Sequence, residues 1–225
     1  MCGRFALAAN SEDFMALLPG LKIEIWPEPR YNIAPQQNIL TILHDGSLRA
    51  TLTRWGLIPS WARDPSLGNR MINARSETIR DKASFKKPFR RQRCLIPVSG
   101  FYEWQTLPGL KHKIPYYIKM RSGNPFAFAG LWDLWRGAGG GEVLTSTIIT
   151  TGPNKIMASI HNRMPVILPP SAYETWLKAG ETDEEMLISL LKPYPAEEME
   201  AVKVTAAVNN PSNDSPDCIH PATMS

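Results

Sequence analysis

The sequence has little cysteine, and its three residues, Cys2, Cys94 and Cys218, lie far apart with no CxxC pair. That spacing speaks against both a zinc site and a disulfide framework. An HExxH helix is also missing. The glycine run GAGGGE, Gly137 to Glu142, has no GK[ST] after it and is neither a P-loop nor a GxGxxG fingerprint. No metal and no organic cofactor is therefore expected. No apolar run is long enough to span a bilayer, and no basic flank precedes an apolar stretch at the amino end. The expectation is a protein without a membrane role, cytoplasmic, and nucleoid-associated if bacterial. A large net charge is absent too: 25 Lys and Arg against 21 Asp and Glu leave a formal +4. A pI near 9.0 still admits an acidic partner.

What is present describes one folded domain over residues 1–225, with 43% hydrophobic residues and 20 prolines against 15 glycines. Strand patterns dominate. ILTILHDGSLRATLTRW alternates apolar and polar residues on both sides of Asp45-Gly46, a strong hairpin signal. CLIPVSGFYEW, IPYYIKM, PFAFAGLWDLW, LTSTIIT, MPVIL and AVKVTAAV add further short runs rich in β-branched and aromatic residues. The glycine run reads as a flexible hairpin loop, and NNPSNDSPD as a turn-rich, mobile segment. Three short helices are expected: one over Ser11 to Leu18, one in SAYETWLKAG with Ser171 and Glu174 at capping-box spacing, and one in TDEEMLISLLK with Thr182 and Glu185 likewise. The predicted class is α+β, a β-rich single domain with curved mixed sheets or a partial barrel and a few peripheral helices.

One segment is strongly basic. RDKASFKKPFRRQR, Arg80 to Arg93, sets seven cations against Asp81 and interleaves Phe85 and Phe89. Such a pattern suits a nucleic-acid groove, with cations on phosphates and rings on bases. It equally suits a solvated loop anchored by its two phenylalanines.

Four fragments carry reactive groups. MCGRF puts Cys2 behind the initiator methionine, so removal of Met1 would leave an amine and a thiol on adjacent carbons. Such a 1,2-aminothiol closes on an aldehyde to a thiazolidine. With an amine pKa of roughly 7.7 to 8.0 and a thiol near about 8.5, neither group needs a large shift. INARSET offers Asn73 to orient an amine, with Arg75 on the same face of an extended segment as a phosphate clamp. SGFYEW sets Glu103 between Tyr102 and Trp104, where partial burial would raise its pKa and make it a general acid or base. IHNRMP supplies His161 and Arg163. Each fragment alone also has an ordinary structural explanation: a buried small residue, an Asx turn, a strand-edge glutamate, a structural histidine.

Taken in order, MCGRF, YNIAPQQ, WGLIPSWA, INARSET, RRQRCLIPVSGFYEW, FAGLWD, IIT and IHNRMPVIL resemble the SRAP family of abasic-site-processing proteins, over nearly the whole chain. The resemblance implies that Met1 is removed and that Cys2 forms a thiazolidine with the ring-opened sugar of an abasic site in single-stranded DNA. It implies that Asn73 holds the amine, Glu103 assists ring opening and proton transfer, and His161 acts at the imine stage. Arg4, Arg75 and Arg163 would hold phosphates, and Trp104 and Thr150 would complete the DNA-binding set. The sequence departs from members that carry two adjacent aromatics after the WG motif, since only Trp61 is present here. The edge after FYEW, at Gln105 and Thr106, lacks nearby basic residues and is expected to add little to DNA binding. Two alternatives stand beside this reading: a thiol peptidase using Cys2, and a non-covalent single-strand binder using Arg80 to Arg93. A monomer is expected.

Overall fold

The computed structural model describes residues 2–178 and 183–222. Its strands are β1 (Phe5–Leu7), β2 (Lys22–Ile23), β3 (Arg30–Ile33), β4 (Asn38–His44), β5 (Leu48–Trp55), β6 (Asn73–Arg75) and β7 (Arg93–Val98), followed by β8 (Gly100–Gln105), β9 (Ile114–Met120), β10 (Phe126–Arg136), β11 (Glu142–Thr151), β12 (Met164–Pro165), β13 (Ile167–Leu168) and β14 (Met199–Lys203). The helices are short: α1 (Glu12–Met15), α2 (Ala83–Arg91), α3 (Tyr173–Leu177) and α4 (Glu184–Ser189).

The expected Asp45-Gly46 hairpin joins β4 to β5, with Gly46 at φ +115°, a region open to glycine. From there β4 pairs with β7, β7 with β10, and β10 with β11, all antiparallel. A parallel contact, Thr145 opposite Arg54 and Ser146 opposite Trp55, joins β11 back to β5 and closes a five-stranded barrel. At that seam the hydroxyls of Thr41, Thr53 and Ser146 form a buried chain at 2.7 and 2.6 Å, each satisfying its neighbour. The glycine run turns the β10–β11 hairpin, as expected.

A second sheet, ordered β14-β9-β8-β1-β3, lies beside the barrel. Phe5 of β1 packs on Trp55 of β5 at 5.2 Å and on Phe128 of β10 at 6.1 Å between ring centroids, so one apolar core serves both layers. Between β7 and β8 the chain passes from barrel to sheet through the single residue Ser99, whose N–H donates to Ala6 O (2.8 Å) and whose Oγ accepts from Ala8 N (2.9 Å). CLIPVSGFYEW is thus two strands rather than one, and the crossing sets FYEW against β1.

Several expectations need correction. The Arg80 to Arg93 segment is mostly helix α2 rather than a loop, and Phe85 and Phe89 anchor it in the core, as one of the two readings expected, where they are unavailable to stack on bases. Burial of Phe85, Pro88 and Phe89 follows the i, i+3, i+4 spacing of one helix face. Arg93 is buried and donates to the carbonyls of Phe89, Arg90, Trp176 and Lys178, tying the end of α2 to α3. Ser171 caps no helix, because Pro169 and Pro170 start a 3-10 turn that contains it. Thr182 lies outside the described residues, and Asp183 caps α4 by accepting from Glu185 N at 2.9 Å. AVKVTAAV is a strand only to Lys203, after which Ala206–Asn209 coils as 3-10 helix and buries Val208 beside Tyr102. NNPSNDSPD is turn-rich but fastened: Asp214 accepts from Tyr31 N and Asn32 N and pairs with Arg30.

Candidate active site

Residues Cys2 to Arg4 lead into β1 and meet three other parts of the chain. Arg4 O accepts from Tyr102 N at 2.9 Å, which sets the lead-in alongside β8 and its Glu103. Asn73, at the start of β6, donates from Nδ2 to the Cys2 carbonyl at 2.8 Å. Its Oδ1 is buried and accepts no hydrogen bond among the described residues. Strand β6 is held by β11 in parallel register, Ile148 opposite Asn73 and Thr150 opposite Arg75. Alternation along β6 buries Ala74 and sends Asn73 and Arg75 to the other face, as the spacing in INARSET predicts.

A cleft of about 440 Å³ is lined by Arg4, Glu103, Trp104, Lys113, His161 and Asn209. His161 follows a 3-10 turn, Met157–Ser159, fastened to β8 by Gln105 Nε2 donating to Ser159 O at 2.7 Å. Its Nδ1 lies 3.1 Å from Arg163 N and 3.3 Å from Arg163 O, so the backbone of Arg163 holds the ring in place. Glu103 is only 4% exposed. Burial pushes its carboxyl above the usual range, and the positive charge of His161 opposes that rise. Cys2 is fully buried, and burial together with the Glu103 charge drives its thiol up. Burial thus favours the neutral form of each group, which opposes a standing thiolate at Cys2.

Arg4 lies over the Trp104 ring, 5.6 Å from its centroid, and its Nη1 donates to Asn32 Oδ1 (2.6 Å) and Val208 O (2.9 Å). Trp104 Nε1 donates to Asn209 Oδ1 at 2.7 Å, so the ring is fixed from both sides. Asn32 is fully buried and donates from Nδ2 to the carbonyls of Val208, Asn210 and Asn213. The motifs YNIAP and VNNPSND therefore meet around Arg4. Thr150 is buried rather than facing the cleft, and its carbonyl accepts from Arg163 Nη2 at 2.7 Å.

Sequence reasoning missed three residues here. Lys113 reaches the cleft because the β8–β9 hairpin sets Trp104 opposite Pro115 and Gln105 opposite Ile114. The edge after FYEW is thus basic after all, by strand return rather than by sequence neighbours. Asn209 is hidden in a turn-rich segment, and Glu77 in INARSET pairs with Arg163. Trp61, 60% exposed, sits on a loop pinned by Ile58 N to Thr145 Oγ1 (3.0 Å), Ser60 N to Asp133 Oδ2 (2.7 Å) and Trp135 Nε1 to Ala62 O (2.8 Å). Among the described residues no group of three or more His, Cys, Asp and Glu side chains is placed to hold a metal ion.

A family model described as SOS response associated peptidase (SRAP) matches residues 1–211. The abasic site processing protein YoqW of Bacillus subtilis (strain 168) is 49% identical over 225 residues, covering 97% of this chain and 99% of its own. The abasic site processing protein HMCES of Pongo abelii is 35% identical over 235 residues, 87% of this chain and 66% of the relative. A crystal structure of a protein from Bacteroides thetaiotaomicron matches with a TM-score of 0.88 at 28% identity, over 98% of this chain and 100% of that one.

Proposed function

Because the chain belongs to the SRAP family, we propose that it processes abasic sites in DNA, capturing the ring-opened sugar covalently at Cys2 in single-stranded DNA. The observation that carries the reading is that Cys2, held by Asn73 and within electrostatic reach of Glu103, lies behind a cleft lined by Glu103 and His161 together with Arg4 and Lys113.

The chemistry follows from those groups. Removal of Met1 frees the Cys2 amine, and the unpartnered Asn73 Oδ1 is an acceptor beside residue 2 for one of its N–H bonds. An abasic sugar is mostly a closed hemiacetal, so its aldehyde must first be released. Glu103, whose proton affinity burial raises, donates to the ring oxygen while the C1′ hydroxyl proton leaves to a base, the role given to His161. The amine then adds to C1′, and loss of one water gives the imine. The imine nitrogen takes back the proton that His161 had accepted, the thiol sulfur adds to the same carbon, and the thiol proton passes to the Glu103 carboxylate, which leaves a ring amine and restores both side chains. The sum is aldehyde plus aminothiol giving thiazolidine plus water. An imine left open invites β-elimination of the 3′ phosphate, so capture by sulfur protects the strand.

A thiol peptidase needs a thiolate, and burial of Cys2 opposes one. A binder centred on Arg80 to Arg93 loses its stacking rings to the core. Intact mass is the test, with a single-stranded oligonucleotide carrying one abasic site and an undamaged control. The expected result is loss of Met1 and an adduct of protein plus oligonucleotide minus one water. Cys2→Ser should keep an imine trapped only by reductant. A persistent adduct in Cys2→Ser without reductant, or none in the parent protein, overturns the mechanism.

A further inference from the structure

Arg163 is already engaged in the DNA-free protein. Its Nη1 and Nη2 donate to the two carboxylate oxygens of Glu77 at 2.5 and 2.9 Å, while Nη2 also donates to the Thr150 carbonyl. The guanidinium edge that grips a carboxylate in this fork is the edge that grips a phosphate. Glu77 therefore stands where a phosphate on Arg163 would stand. The two partners differ in freedom: the Arg163 side chain is 16% exposed and that of Glu77 is 53% exposed. The carboxylate is the member able to leave. Glu77 lies in the 3-10 turn Ser76–Thr78 directly after β6, two residues from the exposed Arg75, which is in register with Thr150. Two arginines and one carboxylate thus gather at a single rung of the β6–β11 pair.

We propose that Glu77 is a specificity-determining residue, holding the phosphate edge of Arg163 in the free protein and yielding it only to a phosphate fixed by the rest of the cleft. The inference rests on the proposed contact between Arg163 and DNA phosphate. Exchange of carboxylate for phosphate replaces one ion pair by another, and the displaced carboxylate collects a counterion. Undamaged single strands, which nothing else holds, gain little from Arg163 under this arrangement. A strand held at an abasic site has the remaining cleft contacts and the covalent step to complete the exchange.

The test is the salt dependence of binding to a labelled, undamaged single-stranded oligonucleotide, for the parent protein, Glu77→Gln, Glu77→Asp and Glu77→Gln combined with Arg163→Gln. A melting curve for each variant establishes folding. Glu77→Gln should bind up to about fivefold tighter, with the slope of log K against log salt steeper by roughly 0.7, one phosphate neutralised outright. Glu77→Asp keeps the charge and should keep the parent slope. Equal or weaker binding by Glu77→Gln at unchanged slope overturns the proposal and leaves Glu77 as a mere support. If Arg163→Gln added to Glu77→Gln leaves the affinity and slope of the single Glu77→Gln variant untouched, the contact between Arg163 and phosphate is what failed. Failure of abasic-site capture itself is read separately, from the adduct mass of the parent protein.

Discussion

Glu103→Gln should make the protein more stable while stopping its chemistry. The carboxyl is 4% exposed, and burial raises its pKa above the ordinary 4.5 despite the nearby His161. A folded state that holds a proton more tightly than the unfolded one is favoured at low pH, and the advantage is lost as pH rises through the folded pKa. Starting from the unfolded carboxyl's pKa, stability should fall by up to about 1.4 kcal/mol per pH unit until the folded pKa is passed. For a domain of this size that is roughly 3 to 5 °C in Tm per unit. Gln cannot titrate, so the variant should escape this decline and melt higher at neutral pH. The same change should slow adduct formation by about 10² to 10⁴, the usual worth of a general acid–base group. The assay is differential scanning calorimetry of both proteins from pH 4.5 to 7.5, with the amino terminus of each verified by mass, beside single-turnover adduct kinetics. A Tm difference that does not grow with pH, or one favouring the parent protein, would refute the reasoning.

Other outcomes follow from the same geometry. Lys113→Gln should weaken binding to single-stranded DNA and reduce the salt slope by about 0.7, whereas Lys86→Gln on the outer face of α2 should change neither; anisotropy titrations at several salt concentrations separate the two. Gly100→Ala would set a Cβ 2.4 Å from the Tyr117 ring, beside the Ala6 pairing of β1. It should cost about 1 to 3 kcal/mol in urea unfolding, since a buried ring cannot withdraw as a flexible chain end can.

The hairpin at Asp45-Gly46 and most strands were legible because their signals are local: turn chemistry and a two-residue alternation. Barrel closure was not, since Thr145 and Arg54 pair from 91 positions apart with nothing in either segment to announce it. The basic helix was missed because the segment was read for its charges, although Phe85, Pro88 and Phe89 mark one buried face. At the site, Cys2, Asn73, Glu103 and His161 were named as chemical types, and the fold brings them together. Lys113 and Asn209 escaped because their place depends on where a strand returns and where a tail is tied. Glu77 escaped because a glutamate beside an arginine in sequence gives no hint that it pairs with a different arginine 86 positions away.

The ties of Arg4 carry a consequence for the order in which the chain is made. The amino-terminal strand leaves the ribosome first, yet Arg4 and Asn32 take partners at Val208, Asn210 and Asn213, and Asp214 fastens β3. A half-synthesised chain has its cysteine but not the frame that aims it. On the proposed function, the end that carries Cys2 is thus translated first but gains its frame only once residues 208–214 are made.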